Sequence, residues 1–512
     1  MTSQARINVQ TRRVKVAIVG GGFGGLCMAI KLREAGIDDF LLLEKGDDVG
    51  GTWNHNSYPG AACDVQSHMY SFSFEGNPDW SHRYSGQQEI HSYINGVTEK
   101  HGIRQFTRFN AEVTGAHFDD KAALWTLDLA DGSQVICQHW VLASGPLHVP
   151  SFPNFKGIDK FQGKIIHSAQ WDHGYDMAGK KVVSIGTGAS AIQYVPHVAK
   201  EAEHLTVVQR TPPWIIPRDE RAYSGLSKWM FRRFPALRKL HRLRLYLSNE
   251  ARVVPIFKPR LAKLAEPALK AFIRYQVKDK ETARKLIPSY TLGCKRILIS
   301  NNYYPTFNRD NVSLVTEGVK EIRENSIVFS DGTEQQADCL VLGTGFIVDP
   351  RIYMKDFEIT GLPGHRLQDD WKDAAEAYLG TTVSGYPNMF QLVGPNTGLG
   401  HNSIIFMIES QVRYVIDAIS KLDQRGDAWL DVKQDVQNRY NDKLQEELKG
   451  TVWQNGGCMS WYQQADGRNT ALWPHATFQF MAYLAREHEG LRLAAGGGAG
   501  YGEGVAGGAI AA

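Results

Sequence analysis

The sequence predicts an α/β protein with two Rossmann-like dinucleotide-binding domains, because it contains two glycine-rich fingerprints, each between an apolar strand and a helix. The first lies in VKVAIVGGGFGG and consists of Gly20, Gly22 and Gly25. The second lies in KVVSIGTGASA and consists of Gly186, Gly188 and Ala191. Small residues at these positions let the backbone approach a pyrophosphate at the N-terminus of the helix. One fingerprint is a weak signal, whereas two in one chain indicate paired nucleotide sites.

The residue that ends the second strand of each unit distinguishes the two sites. Glu44 closes FLLLE and Arg210 closes LTVVQR, and each stands 24 residues after the first glycine of its fingerprint. A carboxylate at this position accepts hydrogen bonds from ribose hydroxyls, which suits FAD or NAD, whereas a guanidinium suits the 2′-phosphate of NADP. The first site is therefore predicted to bind FAD and the second to bind NADP.

Length and composition are those of an ordinary globular protein. The 512 residues are 43% hydrophobic and 22% charged, which is sufficient for two or three domains with full cores. A formal net charge of +3 gives no reason to expect a nucleic acid partner. The N-terminus lacks an apolar signal segment and no apolar run is long enough to span a membrane, so the cytoplasm is the expected location.

The six cysteines are scattered, with no CxxC motif and no zinc-ligand spacing, so no metal site is predicted. Flavoprotein disulfide reductases have the same layout of two nucleotide sites, but they need a paired redox cysteine. Such a pair is expected to be absent from this chain, which argues against that class of enzyme.

An internal repeat supports the presence of two similar domains. DGSQVICQHWVLASG at 131–145 aligns without a gap on DGTEQQADCLVLGTG at 331–345. Each copy combines an Asp-Gly turn with a buried strand that ends in a small residue and glycine, and each follows an alternating stretch typical of a hairpin. We expect the chain to cross between domains near 145 and 345. The predicted domains are a discontinuous FAD domain at 1–148 and 344–493, an NADP domain at 149–343, and a disordered tail at 494–512.

A basic helical insertion is predicted within the NADP domain, at about 221–287. Between 221 and 285 the chain has 18 lysine or arginine residues against four acidic residues, a net charge of +14. Leucines recur there at helical spacing, at Leu237, Leu240, Leu243 and Leu247. Three interpretations remain open: contact with an anionic membrane surface, a wall of a substrate pocket, or a solvated basic face over a packed leucine stripe.

Two further motifs indicate the chemistry. FQGKIIHSAQWD follows an FxGxxxHxxxWD pattern, formed by Phe161, Gly163, His167, Trp171 and Asp172. GGTWNHNSYPGAACD follows a GxWxxxxYPGxxxD pattern, formed by Gly51, Trp53, Tyr58, Pro59, Gly60 and Asp64. Both motifs resemble those of Baeyer–Villiger monooxygenases. Flavin-containing monooxygenases that oxygenate nitrogen and sulfur have a similar layout but lack the Trp-Asp ending of the first motif.

The resemblance extends over about residues 12–482 and implies a reaction. NADPH reduces the flavin, oxygen adds to form a flavin peroxide, and the peroxide attacks a ketone. One oxygen atom of O2 is thereby inserted next to the carbonyl, which gives an ester or lactone. The implied partners are a small-molecule ketone and O2, and we expect a monomer or a homodimer.

The resemblance also implies the catalytic residues. Arg296 matches the active-site arginine of the family, and Asp64 is implied to accept hydrogen bonds from it and to orient it. A fixed cation at this place suits the negative charges that develop on oxygen during the reaction. Lys295 matches the lysine that joins Arg210 and Thr211 on the 2′-phosphate of NADP. From the residues alone, a Lys-Arg pair is more often a solvated strand end, and Asp64 could equally cap a helix.

The remaining site predictions complete the two cofactor sites and the link between them. The further FAD residues are Phe23, Thr52, Trp53, Tyr70 and Val113, beside Asp64. The further NADP residues are Thr187, Ala189, Ser190, Gln193 and Trp461, beside Arg296. His167 and Trp171 are predicted to link the movements of the two domains rather than to transfer protons. The alternative interpretation of Trp461 is a core residue, and that of His167 is a buried structural histidine.

Alternative functions remain at this stage. They are an N- or S-oxygenating flavin monooxygenase, an NADPH oxidase without oxygen transfer, and a non-catalytic nucleotide sensor. The presence of both fingerprints together with Arg296 and Asp64 argues against the sensor. GRNTALWPHATFQF at 467–480 resembles a branch that accepts aryl, linear or bulky ketones, so the ketone itself cannot be read from the sequence.

Overall fold

The structure is a computed structural model that describes residues 11–254, 258–458, 460–464, 466–486 and 491–495. The strands are β1 (Thr11–Val19), β2 (Phe40–Leu43), β3 (Thr107–Arg108), β4 (Val113–Asp119), β5 (Leu124–Leu129), β6 (Gln134–Leu142), β7 (Lys164–His167), β8 (Lys181–Ile185), β9 (His204–Val208), β10 (Ile215–Ile216), β11 (Leu298–Ile299), β12 (Val312–Val315), β13 (Val319–Ile322), β14 (Ser326–Phe329), β15 (Glu334–Gln336), β16 (Cys339–Leu342), β17 (Glu358–Thr360), β18 (Met389–Gln391), β19 (Asp427–Val432) and β20 (Leu491–Ala495).

The helices alternate with these strands in the order expected of an α/β protein. They are α1 (Phe23–Glu34), α2 (Thr52–His55), α3 (Gln87–Lys100), α4 (Ala191–Glu201), α5 (Gly225–Arg233), α6 (Pro235–Glu250), α7 (Pro259–Gln276), α8 (Lys280–Lys285), α9 (Tyr303–Thr306), α10 (Pro350–Tyr353), α11 (Leu367–Asp370), α12 (Ile404–Arg425), α13 (Gln434–Leu448), α14 (Val452–Asn455) and α15 (Thr477–Arg486). Short 3-10 turns lie at Arg104–Phe106 and Ile158–Lys160.

Two sheets organise the molecule. The first has the strand order β17-β4-β5-β6-β1-β2-β3, with β18 also paired to β6. The second has the order β12-β9-β8-β16-β7, and all its pairings are parallel. The chain leaves the first sheet after β6 and comes back to it with β17 and β18, after building the second sheet. The predicted fold class, α/β with two Rossmann-like units, is confirmed, whereas the domain boundaries remain predictions.

Apolar strands at the centre of each sheet explain this architecture. In β1 the first three residues are exposed, while Val16, Ala17 and Ile18 are fully buried. The strands that flank the fingerprints, β2 and β16, are buried throughout, as parallel strands covered on both faces are. Helix α1 covers one face of the first sheet and packs against α12. A fingerprint at the end of β1 therefore lies at the carboxyl edge of a rigid sheet.

The internal repeat is realised differently in its two copies. In the first copy, β6 is one continuous strand paired with β5 on one side and β1 on the other. In the second copy the same stretch is divided between β15, in a small antiparallel sheet with β13 and β14, and β16 in the second parallel sheet. Both predicted hairpins are present, as the antiparallel pairs β5–β6 and β14–β15.

The two segments that cross between the sheets pair with each other. Ser151 donates its backbone N–H to the Gly345 carbonyl oxygen at 2.9 Å, and Ile347 donates to the Val149 carbonyl oxygen at 2.9 Å. The hydroxyl of Thr344 donates to the Ser151 carbonyl oxygen at 2.6 Å. The crossovers expected near 145 and 345 thus form one paired connection, which is where any relative movement of the two sheets must be absorbed.

The region of the predicted basic insertion contains helices α5 to α8. Pro235 and Pro259 occupy the first turns of α6 and α7. In a first turn the backbone N–H has no partner within the helix, so proline, which lacks it, loses no hydrogen bond there. The leucines at 237, 240, 243 and 247 are exposed. The interpretation of a packed leucine stripe is therefore wrong, because sequence periodicity identifies an apolar face without showing which way that face points.

The predicted tail also begins too early. Ala494 and Ala495 belong to β20, which pairs antiparallel with β19. Backbone hydrogen bonds to an available strand edge can hold residues that have little side chain to bury. The rest of the predicted tail, 496–512, lies outside the described residues. No helix in the described ranges combines the length and the apolar character needed to cross a bilayer.

Candidate active site

The first fingerprint turns from β1 into α1 with no space for a side chain at Gly20 or Gly25. Gly20 has φ +110°, and a Cβ there would lie 2.5 Å from the Ala143 carbonyl oxygen. A Cβ on Gly25 would lie 1.9 Å from the Gly20 carbonyl oxygen. Gly22 is the N-cap residue of α1 and makes no side-chain cap, so the first backbone N–H groups of the helix remain available to an anion. This cradle fits a pyrophosphate.

Glu44 is held beside this fingerprint by backbone donors. The Gly21 N–H donates to its Oε2 at 2.6 Å, and the Gly46 N–H donates to its Oε1 at 2.7 Å. The carboxylate is buried at the end of β2, where the sequence predicted a ribose acceptor. Val113 begins β4 next to this point, because the Ala111 N–H donates to the Glu44 carbonyl oxygen at 2.9 Å. The two predicted FAD residues are therefore close to each other.

The aromatic residues predicted for the FAD site form one cluster. The indole N–H of Trp53 donates to the Tyr70 hydroxyl at 3.0 Å, and their rings meet edge to face. Phe23 packs edge to face on Tyr70 with ring centroids 5.3 Å apart. Thr52 opens α2 directly after Gly51, whose added Cβ would lie 3.0 Å from the Gly22 Cα. The GxW motif thus lies against the first fingerprint, as one cofactor site requires.

The second fingerprint repeats this geometry between β8 and α4. Gly186 has φ +109°, and a Cβ there would lie 2.3 Å from the Gly343 carbonyl oxygen, whereas Gly188 faces open space. The hydroxyl of Thr187 donates to the Thr211 carbonyl oxygen at 3.2 Å, which joins the fingerprint to the loop after β9. Ala189 and Ser190 lie between this turn and α4, with Ser190 as its N-cap residue. The cradle fits a second pyrophosphate.

Two cations lie near this second fingerprint. Partial burial lowers the pKa of Lys295, and the positive charge of Arg210 lowers it further. Arg210 is exposed and follows β9 by two residues. In the part of the chain that the structure describes, no carboxylate forms an ion pair with either of them. Two mutually repelling cations without an acid between them have the chemistry to bind a polyanion such as a 2′-phosphate.

Arg296 and Asp64 form the central ion pair of the candidate site. Arg296 Nε donates to Asp64 Oδ2 at 2.8 Å, and Nη2 donates to Oδ1 at 2.7 Å and to Oδ2 at 2.6 Å. The negative charge of Asp64 raises the pKa of Arg296 further above its ordinary value. The arginine side chain is 40% exposed and the aspartate 24%, so the guanidinium can still meet a ligand. Asp64 caps no helix.

The loop that carries Asp64 is fastened to helix α4. The Tyr58 hydroxyl donates to Gln193 Oε1 at 2.8 Å, and Gln193 Nε2 donates to the Ala62 carbonyl oxygen at 2.9 Å. A Cβ on Gly60 would lie 2.8 Å from the Gln193 carbonyl oxygen, so the YPG turn needs glycine to approach the helix. Gln193 was predicted among the NADP residues, yet in this structure its side-chain amide bridges the two halves of the site.

His167 and Trp171 make no hydrogen bond or ring contact with Arg296 or Asp64 among the described contacts. His167 ends β7, is buried, and its ring packs 5.0 Å from Phe152 and 6.4 Å from Phe346, one residue on each crossing segment. Burial lowers the pKa of His167. Trp171 packs on Tyr194 of α4 with ring centroids 5.4 Å apart. Both residues therefore touch the elements that would move if the domains moved.

Tyr462, the neighbour of the predicted Trp461, lies close to Arg296. Trp461 is 53% exposed, and its ring packs 4.4 Å from that of Tyr462. Tyr462 is buried, which raises its pKa to about 12, while the charge of Arg296 acts in the opposite direction. Sequence reasoning missed Tyr462, although its position next to the predicted Trp461 was a signal that could have found it.

A disulfide joins the Arg296 segment to the Trp461 segment. Cys294 and Cys458 are bonded, with their Cα atoms 6.2 Å apart, and the other described cysteines are free and buried. The sequence did not predict this bonded pair, because two cysteines 164 residues apart show no spacing motif. The bonded pair lies next to Lys295 and Arg296, and none of the described cysteines forms a CxxC pair.

Together these features define a class of protein. The first fingerprint has the Glu44 carboxylate beside it, and the second has two cations near it. The arginine–aspartate pair takes Asp64 from the segment after the first fingerprint and Arg296 from the segment after the second. Oxidoreductases that use two dinucleotides have this organisation. Residues 17–261 match the family model described as "Pyridine nucleotide-disulphide oxidoreductase", which covers the first fingerprint and the second. The disulfide lies outside that match.

Comparison with known proteins identifies the family. The chain is 47% identical over 480 residues to a Baeyer–Villiger monooxygenase of Pseudomonas aeruginosa, with 93% of this chain and 90% of the relative covered. A solved structure of an oxidized steroid monooxygenase bound to NADP superposes with a TM-score of 0.85 at 29% identity, covering 94% of this chain and 100% of that one. The structure of OTEMO in complex with FAD and NADP has a TM-score of 0.85 at 27% identity, covering 94% and 99%. The chain belongs to the Baeyer–Villiger monooxygenase family.

Proposed function

We propose that this chain is an FAD-containing, NADPH-dependent monooxygenase that inserts one oxygen atom of O2 next to a ketone carbonyl to give an ester or lactone. Family membership supports this reaction class. The observation that carries the proposal in this chain is the Arg296–Asp64 pair, with three hydrogen bonds of 2.6–2.8 Å, located between two nucleotide cradles.

The residues have separate tasks in this proposal. Bound FAD and NADPH supply the redox chemistry that activates oxygen. Arg296 holds a permanent positive charge where negative charge develops on the ketone oxygen, and its planar donor array can contact more than one oxygen. Asp64 fixes the direction of the guanidinium, and its own negative charge keeps Arg296 protonated. Tyr58 and Gln193 keep the Asp64 loop on α4.

The cofactor residues follow from the two cradles. FAD would be held at Gly20, Gly22 and Gly25, with Glu44 on its ribose and Phe23, Thr52, Trp53, Tyr70 and Val113 around it. NADPH would be held at Gly186, Gly188 and Ser190, with Thr187, Ala189 and Thr211 beside it, Arg210 and Lys295 on its 2′-phosphate, and Trp461 near it. A ketone of aryl, linear or bulky type, the cytoplasm, and a monomeric or homodimeric state complete the proposal.

The test replaces the central cation. Arg296→Ala should still oxidise NADPH, because hydride transfer needs no oxyanion donor, but it should release hydrogen peroxide and form ester about a hundred- to a thousandfold more slowly. The measurement is the ratio of ester formed to NADPH consumed, in purified yellow protein with air and a panel of ketones.

Two comparisons make this test specific. Lys295→Ala changes the adjacent residue and should raise the KM for NADPH while leaving the ester-to-NADPH ratio unchanged. Arg296→Lys keeps the charge and should recover part of the ratio. Ester formation by Arg296→Ala at the wild-type rate would contradict the assignment. Wild-type protein that oxygenates sulfides or amines but no ketone would favour the N- or S-oxygenating alternative.

A further inference from the structure

Helix α6 exposes its apolar side. Six residues of α5, of α6 and of the junction between them form what we term the outer apolar face: Trp229, Phe234, Leu237, Leu240, Leu243 and Leu247. Each is between 41% and 61% exposed. The leucines are spaced three or four residues apart, so they lie along one side of the helix, and the Trp229 ring packs against Phe234 at its start. A continuous exposed apolar stripe of this kind marks an interaction site.

The opposite side of α6 carries polar residues beside the buried Leu245, and specific hydrogen bonds hold it inward. Arg242 Nη1 donates to the His68 carbonyl oxygen at 2.5 Å and to the Ser71 carbonyl oxygen at 2.9 Å. Asn249 and Gln66 exchange amide hydrogen bonds at 3.0 and 3.3 Å.

Glu250 extends this inward anchorage at the end of the helix. Its carboxylate accepts from the Thr477 hydroxyl at 2.7 Å and from Asn402 at 2.5 Å. Rotating α6 to bury its leucines would break all these contacts and leave buried polar groups without partners, which is costly. The outward direction of the leucines is therefore fixed by the fold.

Basic residues surround the outer apolar face. Lys239 and Arg244 are exposed on α6, and Arg233 is exposed where α5 ends. Among the described residues, no carboxylate pairs with any of these three. The surrounding stretch at 221–285 has a net charge of +14, although the whole chain has only +3. Apolar side chains with unpaired cations at their margin match an anionic lipid surface, where acyl chains take the leucines and head groups take the cations.

We propose that the outer apolar face docks this protein on the surface of an anionic lipid bilayer. A second copy of the chain fits the face less well, because a twofold contact would bring two strongly basic regions together. The tryptophan at the margin of the face suits the head-group level of a bilayer. Docking leaves the Arg296 site untouched, since no residue of the face belongs to that site.

The experiment measures co-sedimentation of the flavin-loaded full-length protein with phosphatidylcholine vesicles, with and without phosphatidylserine. We expect binding to the vesicles that contain phosphatidylserine and little binding to the neutral ones. Leu240→Gln with Leu243→Gln should weaken binding about tenfold or more, because each leucine loses its apolar contact. Lys239→Gln with Arg244→Gln should weaken binding to the anionic vesicles and remove much of its salt dependence.

Controls separate docking from misfolding and from self-association. Ile352→Gln removes an apolar side chain of similar exposure on α10 and should bind vesicles like the wild type. All variants should keep their flavin and their ester formation. Wild-type protein that does not co-sediment with the anionic vesicles would overturn the proposal. Sedimentation velocity without lipid tests the alternative occupant: a dimer that Leu240→Gln with Leu243→Gln dissociates, in protein that binds no vesicles, would assign the face to a second copy.

Discussion

The three cations of the candidate site, Arg210, Lys295 and Arg296, differ in whether a carboxylate pairs with them. Arg296 forms an ion pair with Asp64, whereas Arg210 and Lys295 repel each other. Burial lowers the pKa of Lys295, and the positive charge of Arg210 lowers it further. The first arrangement fixes one guanidinium in space, and the second leaves positive charge available for a phosphate. Coenzyme selection and oxygen transfer are therefore assigned to neighbouring residues with different electrostatic environments.

Arg210→Ala should raise the KM for NADPH far more than the KM for NADH. A lost charge-assisted contact costs about 1.5–3 kcal/mol, or about ten- to a hundredfold in affinity. Steady-state kinetics with both coenzymes measure the effect. Arg309→Ala, which removes an exposed arginine of the same part of the chain, should change neither constant. Equal effects of Arg210→Ala on both coenzymes would show that Arg210 does not bind the 2′-phosphate.

Local motifs predicted many of the candidate site residues, because the chemistry imposes fixed spacings on them. The glycines, Glu44 and Asp64 belong to such motifs, whereas Arg296 was implied by the family resemblance. The bond between Cys294 and Cys458 and the bridge from Gln193 to Tyr58 and Ala62 belong to none. Their partners come from distant segments, so only the folded chain brings them together.

At the level of elements, β7 and the two crossing segments form one contact. His167 at the end of β7 touches Phe152 and Phe346, and the segments that carry these two residues pair through backbone hydrogen bonds. His167→Ala should keep FAD bound while slowing turnover or raising hydrogen peroxide release, because the crossing segments lose their shared packing partner. Flavin content and product ratio are the measurements. His204→Ala, a histidine of β9 away from the crossing, should behave like the wild type, and loss of flavin from His167→Ala would make His167 purely structural.

The disulfide connects two other elements, the segment before β11 and the segment after α14. Cys458→Ser should lower the thermal midpoint, since a disulfide typically contributes about 2–4 kcal/mol. It should also raise the KM for NADPH, because the segment with Trp461 gains freedom next to Arg296. A reductant should change the wild type in the same direction and leave the variant unchanged. Titration of six free thiols in unreduced, denatured wild type, instead of the four expected, would contradict the bond.

The sequence predicted the apolar strands correctly. It did not predict which side of helix α6 faces the protein interior. The apolar runs at 40–43 and 204–208 form parallel strands with the expected terminal residues after them. The four leucines at 237, 240, 243 and 247 have the periodicity of a packed face, but the packed side of α6 holds Leu245 together with Asn249 and Glu250 instead. Periodicity shows that a helix has two faces, and only tertiary hydrogen bonds decide which of them points inward.

Across the whole molecule, charge is distributed unevenly. The stretch at 221–285 has a net charge of +14 in a chain of +3, so the remainder is net negative. A molecule of this kind is oriented by an anionic surface before any apolar contact forms. Like charge on two copies of the basic region opposes their contact in solution.

Acid should destabilise the whole fold through its buried histidines. Burial lowers the pKa of His68 and His139 to about 3 and that of His148 to about 4, from an ordinary value of 6.5. Below that ordinary value the unfolded chain takes up protons that the folded chain refuses, so stability is complete above it and is lost as the pH falls towards the folded values. By about pH 5 each of these histidines lowers the free energy of unfolding by about 2 kcal/mol.

Thermal midpoints measured from about pH 7.5 to about pH 5 should fall. His139→Gln should reduce the fall, whereas His173→Gln at an exposed position should not. A fall as steep in His139→Gln as in the wild type would show that His139 takes no part in the acid sensitivity.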